Sequence, residues 1–509
     1  MKEGSGVINA QSGRQTVDTR QPPGLKVLFF AEMWERFSFY GMRALLVFYL
    51  TKHWLFSDQI ATGLYATYGS LVYLTPVIGG LIADRWLGFR RAVVLGGILL
   101  VLGHLGMAFE GEAARLVDGV VVRDEMALNV FYLSLAFIIV GVGFLKPNIS
   151  SIVGDLYTKD DPRRDGGFTL FYMGINVGAM VSALVCGWLG ENLGWKYGFG
   201  LAGVGMLVGL ITFIRGSHML QGAGSVPAGV DLTRPVFAGL RLDHSIYLSA
   251  LVGIVAAWWL VQYPPMVGGL LGMGSVVAVA AVVGFSVLRC TPEERNRMLV
   301  LLFLIAVSVL FWALFEQAGS SMNLFADRVI DREVGAWTVA ASQLQSLNPA
   351  FIILLAPLFA RGWLWLAGRG REPSTPMKFA AALVQVGLGF LALVLGIQSA
   401  DASGTVALFW LVLAYLLHTT GELCLSPVGL SMVTRLSVPR VVGLMMGIWF
   451  LSSSAAHYVA GLIAALAVSG EGEGASLSAY AETFTLAGEI GIVSGVLLAL
   501  LAPWLARRI

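Results

Sequence analysis

The sequence predicts an all-α polytopic membrane protein with about 14 transmembrane helices. The chain has 509 residues, of which 57% are hydrophobic and 13% charged, and its mean hydropathy is +0.77. Soluble domains carry about 25% charged residues, so this chain lacks the charge needed to cover a water-facing surface. Apolar runs of about 20 residues, the length that crosses the hydrocarbon core, recur along it. The net charge of +2 argues against a nucleic-acid partner.

The apolar runs divide into six, two and six. Residues 1–24 are polar and are predicted to form a cytoplasmic N-terminal tail. The division then predicts an N-terminal six-helix bundle (25–215), a linker with two extra transmembrane helices (216–296) and a C-terminal six-helix bundle (297–509). We expect the extra pair to be a lateral spacer or an interface hairpin. The predicted spans are 25–53, 58–84, 91–110, 128–153, 166–190, 196–215, 245–262, 265–288, 297–326, 341–361, 376–398, 406–434, 440–467 and 485–505.

The distribution of Lys and Arg predicts the orientation. Four basic loops, near 85–91, 159–164, 361–378 and 435–440, alternate so that they share one side of the membrane, and 468–482 on the other side has neither residue. By the positive-inside rule both termini are cytoplasmic, and the protein spans the plasma (inner) membrane. The loop 83–91 resembles the one that major facilitators carry between their second and third helices, which predicts the major facilitator fold with a central site between two bundles.

A polar stripe interrupts the first span. Glu32, Glu35, Arg36, Tyr40 and Arg43 stand at offsets of 0, 3, 4, 8 and 11, and therefore share one face of a helix. Ionisable groups at membrane depth are costly unless they pair or face water, so the stripe indicates an internal, partly wet cavity. A buried structural salt bridge is the alternative explanation.

Further polar residues interrupt later spans. Lys146 stands before a proline, Asn176 lies among glycines, Glu316 lies deep in its span, and Asn348 and Glu422 each lie near a proline. Intramembrane polar residues are functional candidates by default. Snorkelling to the interface would also explain Lys146, and helix packing alone would explain the segment around Asn176.

Counting the deep charges gives four acids against three bases. One acid therefore lacks a permanent partner, and in a low dielectric such a group holds a proton more readily, as a proton-coupled carrier requires. Both halves contribute members, so salt bridges between the bundles can act as gates. The acids are Glu32, Glu35, Glu316 and Glu422, and the bases are Arg36, Arg43 and Lys146.

Five motifs carry a family resemblance. Residues 32–40 read E-x-x-E-R-F-x-F-Y and resemble the E-x-x-E-R-F-x-Y-Y signature of the proton-dependent oligopeptide transporter family. FLKPN (144–148), FYMGINVG (171–178), FWALFEQ (311–317) and GELCLSPVGLS (421–431) resemble its other helix motifs, in the right order across both bundles. The extra helix pair is similar to that of the bacterial members. The resemblance implies a proton-coupled symporter that imports di- and tripeptides by alternating access. It implies no enzyme activity, no cofactor and a functional monomer in the lipid bilayer.

The resemblance also implies roles for individual residues. Proton coupling falls to Glu32, Glu35, Arg36 and Glu316. The gating pairs are Arg43 with Glu316 and Lys146 with Glu422. The implied peptide-binding residues are Tyr40, Arg43, Tyr68, Lys146, Asn176, Trp312, Asn348, Glu422, Ser426, Trp449 and Phe450. If Trp449 and Phe450 are read alone, ordinary packing is favoured over a role in lining a pocket.

Two departures and several alternatives stay open. Phe39 replaces the first tyrosine of the signature, and Ala66 stands where animal members carry a histidine, so proton coupling should rest on carboxylates without a titratable imidazole. We expect His104, His418 and His457 to be packed or interfacial. A related carrier for nitrate or an organic acid is the runner-up function. A membrane enzyme is disfavoured, since no nucleophile–base pair, metal-ligand cluster or phosphate loop is evident. A channel would lack alternating salt bridges and would show conductance far above carrier rates.

Overall fold

The computed structural model describes residues 20–158, 161–237, 239–468 and 476–509. Most of the predicted tail, Lys159 of the second basic loop and residues 469–475 of the predicted outer loop lie outside these ranges. Thirteen helical segments of the described residues are long and apolar enough to cross a membrane. We add the first helix, α1 (Pro23–Phe48), as a further span, because the four charges within 32–43 depress the hydropathy of an otherwise apolar helix. The prediction of about 14 spans is confirmed.

The first half begins with a helix that starts at proline and continues through a π-helical turn, Tyr49–His53. Ser57 and Asp124 cap the second and fourth helices, with side chains that accept from the backbone N–H of Ile60 and Ala127. The six helices are α1 (Pro23–Phe48), α2 (Asp58–Ile82), α3 (Phe89–Met107), α4 (Glu125–Asp155), α5 (Arg164–Asn192) and α6 (Trp195–Gly216).

The extra helix pair touches both halves. Helix α7 (Leu242–Val261) packs on α4 and α2. Helix α8 (Pro264–Arg289) packs on α9 (Pro292–Phe315) and α14 (Val442–Ala467) of the second half. Both helices turn much of their apolar surface outward, as expected for a face in contact with lipid. The pair therefore lies at the seam between the two six-helix groups.

The second half contains two interrupted spans. The predicted span 297–326 begins at Pro292, breaks into a 3₁₀ turn at Glu316–Gly319 and resumes as α10. The predicted span 341–361 begins as a 3₁₀ helix, Ala341–Ser346, so that Asn348 and Pro349 stand in the first turn of α11, where proline is tolerated. The helices are α9 (Pro292–Phe315), α10 (Ser321–Arg328), α11 (Leu347–Ala367), α12 (Thr375–Gln398), α13 (Leu408–Leu436), α14 (Val442–Ala467) and α15 (Leu477–Ala506).

The strands are short and lie outside the spans. Three antiparallel pairs and one parallel pair form in loops, and none builds a larger sheet within the described residues. They are β1 (Arg115–Val117) with β2 (Val120–Val122), β3 (Pro235–Phe237) with β4 (Leu240–Arg241), β5 (Ile330–Asp331) with β8 (Val406–Ala407), and β6 (Glu333–Val334) with β7 (Trp337–Thr338).

The two halves meet mainly where α2 packs on α14 and where α5 packs on α11 and the 3₁₀ helix before it. The α2–α14 contact includes a polar link at membrane depth, in which the Ser454 hydroxyl donates to the Ser70 carbonyl at 2.7 Å. Gly461 of α14 lies directly against Ala66 of α2, so this pair of helices approaches closely. The seam brings side chains of α1, α2, α9, α13 and α14 into one region.

Candidate functional site

The polar stripe of α1 begins with a buried three-residue cluster. Arg36 Nε lies 3.3 Å from Glu32 Oε1 and also donates to Glu35 Oε2. All three side chains are buried, and one polar atom of each, Glu32 Oε2, Glu35 Oε1 and Arg36 Nη2, has no hydrogen-bond partner within the described residues. A buried, incompletely paired cluster is costly, and it retains capacity for a proton or for water.

Further along the same stripe, Arg43 joins the two halves. Its Nη2 donates to Glu316 Oε2, and its Nε donates to the Tyr65 hydroxyl at 2.5 Å. The helix break at Glu316–Gly319 brings the carboxylate to this point. Gly319 lies against the Tyr65 hydroxyl, where a side chain would collide, so glycine permits the close approach of the broken segment to α2. The predicted pair of Arg43 and Glu316 is thus formed in this structure.

Glu316 has a second neighbour. The imidazole of His457, from α14, places Nε2 3.7 Å from Glu316 Oε1, the oxygen that Arg43 does not bind. The ring stacks on Tyr73 with centroids 4.4 Å apart, and Lys146 Nζ lies 4.0 Å from the centroid of the same tyrosine ring. Because of Ala66, the sequence predicted a site without a titratable imidazole and a packed or interfacial His457. The structure buries His457, as expected for a packed histidine, and places its ring beside Glu316.

Glu422 is held within the second half. Asn348 Nδ2 donates to Glu422 Oε2 at 2.9 Å and to Thr419 Oγ1 at 3.0 Å. Within the described residues no ion pair joins Glu422 to Lys146, whose amine contacts Tyr73 instead. Of the two predicted gating pairs, the structure therefore forms one and leaves the partners of the other apart.

Two adjoining cavities lie at the seam. One has a volume of about 200 Å³ and the other about 300 Å³, and Tyr73, Trp312, Glu316 and Ser426 line both. Cationic and anionic groups face this space from opposite halves. The predicted residues that line the first cavity are Tyr40, Arg43, Asn176, Trp312, Glu316, Asn348, Glu422 and Ser426, and those that line the second are Trp312, Glu316, Ser426, Trp449 and Phe450.

Several predicted residues lie behind the cavity wall. Glu32, Glu35 and Arg36 form the buried cluster, and Lys146 reaches the cavity region through Tyr73. Tyr68 is buried, and its hydroxyl has no partner within the described residues. These residues therefore act on a bound molecule only through neighbours in this conformation.

The sequence reading missed two aromatic–polar faces. Tyr65, Gly69 and Tyr73 stand at i, i+4 and i+8 of α2. Trp449, Ser453 and His457 stand at the same spacing on α14. This period marks one helix face and would have drawn attention to the five positions besides Trp449, which the family resemblance had already indicated. Nothing local indicates that the two faces pack together. Other polar residues that line the first cavity and were missed include Tyr172, Gln345 and Tyr415.

Polar contacts also join the halves at the end of the molecule opposite the basic loops. Lys52 Nζ lies 2.8 Å from Asp327 Oδ2, and Arg328 Nη2 donates to Asp58 Oδ1 at 2.7 Å. Glu191 accepts from the backbone N–H of Ser342 at 2.8 Å. This end of the seam is therefore closed by several direct contacts. No group of three or more potential metal ligands occurs in the part of the chain that the structure describes.

Comparison with known proteins finds relatives that are named as transporters or permeases. The sequence model of the POT family matches residues 90–481. The chain is 37% identical to the uncharacterised transporter YclF of Bacillus subtilis, covering 96% of this chain and 94% of the relative. It is 35% identical to dipeptide and tripeptide permease A of Erwinia pyrifoliae, covering 96% and 95%. A crystal structure of a mutant peptide transporter POT in complex with alafosfalin matches with a TM-score of 0.82 and 35% identity, covering 97% of this chain and 98% of that one.

Proposed function

This chain belongs to the POT family of membrane transporters, and from that premise we propose that it is a proton-coupled symporter importing di- and tripeptides. The observation that carries the proposal is a cavity between the two halves that Arg43 lines from one side and Glu422 from the other. A short peptide carries an ammonium and a carboxylate at its two ends. A site with an acid and a base on opposing walls can hold both ends, whatever the side chains between them.

We assign the peptide carboxylate to the side of Arg43 and Lys146, and the ammonium to the side of Asn176, Asn348 and Glu422. The hydrogen bond from Asn348 holds the Glu422 carboxylate at the cavity wall, which supports its use as the ammonium acceptor. The aromatic wall accepts varied side chains because it offers apolar area with few directional demands. We assign side-chain pockets to Tyr40, Trp312, Trp449 and Phe450, to Tyr68 once a conformational change uncovers it, and a further polar contact to Ser426.

Proton coupling is assigned to Glu32, Glu35, Arg36 and Glu316. Their burial supports this role, because a carboxylate in a low-dielectric site binds a proton readily when its cationic partner moves away. Arg43 with Glu316 forms the outer gate and Lys146 with Glu422 the inner gate. Two observations support a state that is closed to the outside. The outer pair is formed whereas the inner pair is apart, and Asp58 and Lys52 make ion pairs across the seam at the outer end.

We propose the same domain division for this scheme. It has an N-terminal tail (1–24), a first six-helix bundle (25–215), a linker with the extra helix pair (216–296) and a second six-helix bundle (297–509). Because the basic loops share one side, we place both termini in the cytoplasm and the protein in the inner membrane. We further propose that it works as a monomer, which a mass measurement of the solubilised protein would test.

The function is tested with purified protein in proteoliposomes. An imposed gradient of about one pH unit, acid outside, should drive about tenfold accumulation of labelled dialanine if one proton moves with each peptide. Unlabelled di- and tripeptides should compete, and nitrate or simple organic acids should not. Equal uptake with and without the gradient would exclude proton coupling. Competition by nitrate alone would indicate the related anion carrier instead.

A further inference from the structure

His457 occupies a position that the proposed scheme does not use. It lies 15 residues into α14, is 6% exposed, and lines the second cavity together with Trp312 and Glu316. Its ring fits between Tyr73 and the backbone of α2, where a methyl group at Gly69 would lie 2.9 Å from Nδ1. The imidazole is therefore fixed in orientation, with Nε2 directed at the Glu316 carboxylate.

The carboxylate of Glu316 is shared between two bases from different halves. One oxygen binds Arg43 of α1, and the other lies 3.7 Å from His457 Nε2. Arg43 connects the first half to the second, whereas His457 belongs to the same half as Glu316. A charged imidazole would hold the carboxylate within its own half, and a neutral one leaves it to Arg43.

The charged groups at membrane depth include one more acid than base, so one further cation would balance them. Four acids face three permanent bases, so a protonated His457 brings the total to neutrality. The charged groups nearest the ring are the Glu316 carboxylate, Arg43, which binds that carboxylate, and Lys146, which contacts the same Tyr73 ring. Tyr73, from α2, is the titratable group in direct contact, and Glu422 of α13 lines the neighbouring cavity. Because Arg43 opposes the imidazolium, its departure from Glu316 increases protonation of His457, and protonation in turn weakens the Arg43 contact.

We propose that His457 is a proton-binding residue that competes with Arg43 for Glu316 and so links protonation to opening of the contact between the halves. The proposal rests on the proposed function for its consequence in transport. The exchange of partners itself concerns only these three side chains. It involves one proton, which binds imidazole Nε2 and leaves it when Arg43 returns.

The exchange of partners can be measured without transport. The full chain carries six histidines, so nitrogen-15 labelling of histidine gives few imidazole signals, and His457→Gln identifies the one of interest. If that variant does not fold, replacing the other five histidines in turn gives the same assignment. At pH 6 we expect the charged fraction of His457 to fall about fivefold in Glu316→Gln and to rise in Arg43→Gln. His104, buried in α3, should not respond. A His457 signal unchanged in both variants would overturn the proposal.

Its consequence for transport is tested in proteoliposomes. His457→Gln should reduce dialanine accumulation under a pH gradient about fivefold, and should leave exchange of labelled for unlabelled dialanine at equal pH within about twofold. His104→Gln, a matched loss of a buried imidazole away from the cavities, should behave as wild type. Full coupled accumulation by His457→Gln would overturn the proposal. A wild-type protein that accumulates no dialanine would instead contradict the proposed function, and the nitrogen-15 result would still decide the role of His457.

Discussion

Arg43 and Glu316 form a buried ion pair between α1 of the first half and the broken helix of the second. Arg43 is also bound to Tyr65 through Nε, so the two guanidinium contacts tie α1, α2 and the break at Glu316–Gly319 together. Removing one member of a buried pair leaves the other uncompensated, at a cost of about 3–5 kcal/mol. The pair is therefore a strong determinant of which conformation the protein occupies.

The first prediction concerns Glu316→Gln. The amide keeps the size and an acceptor oxygen but cannot carry the charge, so accumulation of dialanine under a pH gradient should fall about tenfold. Exchange at equal pH should persist, because it needs no net proton movement. Glu372→Gln is a suitable control, since Glu372 pairs with Lys378 at 2.6 Å within one half. Wild-type accumulation by Glu316→Gln would contradict the assignment of Glu316 to proton coupling.

The second prediction concerns Asn348→Ala. This variant removes both the 2.9 Å donor to Glu422 and the 3.0 Å donor to Thr419, so the carboxylate loses its fixed position at the cavity wall. The KM for dialanine should rise about tenfold, as expected for loss of a hydrogen bond to a charged group. The control is Asn192→Ala, whose amide donates to the Trp188 carbonyl of its own helix. An unchanged KM for Asn348→Ala would remove Asn348 from the ammonium site.

The number of helices and the polar stripe could be predicted from the sequence because both are local patterns. About 20 apolar residues in a row define a span, and the spacing of Glu32, Arg36 and Arg43 defines one face of a helix. The interruptions of two spans were harder to predict from the sequence. The break after Phe315 accompanies the close approach of Gly319 to Tyr65, which is a contact between distant segments.

His457 marks the limit of sequence reading. The spacing of Trp449, Ser453 and His457 was available, and so was that of Tyr65, Gly69 and Tyr73. The proximity of His457 to Glu316 depends on packing of α14 on α9 and on the break at Glu316–Gly319, which the local pattern does not encode. The separation of Lys146 from Glu422 could not be predicted from the sequence either, because one sequence supports several conformations and the two residues can be paired in one and apart in another.

The third prediction concerns the outer contact between Asp58 and Arg328. Both side chains are partly buried, at 14% and 28% exposure, so the pair should contribute about 1 kcal/mol to closure of this end. Asp58→Asn should therefore raise the population open to the outside about fivefold. Spin labels at Gln59 and Val329 would report this as a larger fraction of long distances.

A charge exchange provides the matched control for that pair. The double variant Asp58→Arg with Arg328→Asp keeps opposite charges at the same positions and should restore the wild-type distance distribution. Lys52 and Asp327 would remain paired nearby in every variant. If Asp58→Asn opens this end but the exchanged pair does not close it again, closure needs a geometry that only Arg at position 328 provides. A closed Asp58→Asn would exclude a role for the pair in closure.

The fourth prediction concerns packing of α15 on α12. A methyl group at Gly491 would lie 2.9 Å from Gly387 Cα and 3.1 Å from the Leu383 carbonyl oxygen, and both are backbone atoms that cannot move without separating the helices. The strain in Gly491→Ala should cost about 1–3 kcal/mol, which exceeds the gain in helix propensity of about 1 kcal/mol. The variant should therefore be less stable than wild type. Gly284→Ala on α8 has open space around it and should gain the propensity alone. Thermal unfolding of the two variants should thus shift in opposite directions from wild type, and a Gly491→Ala protein as stable as Gly284→Ala would contradict the tight α12–α15 contact.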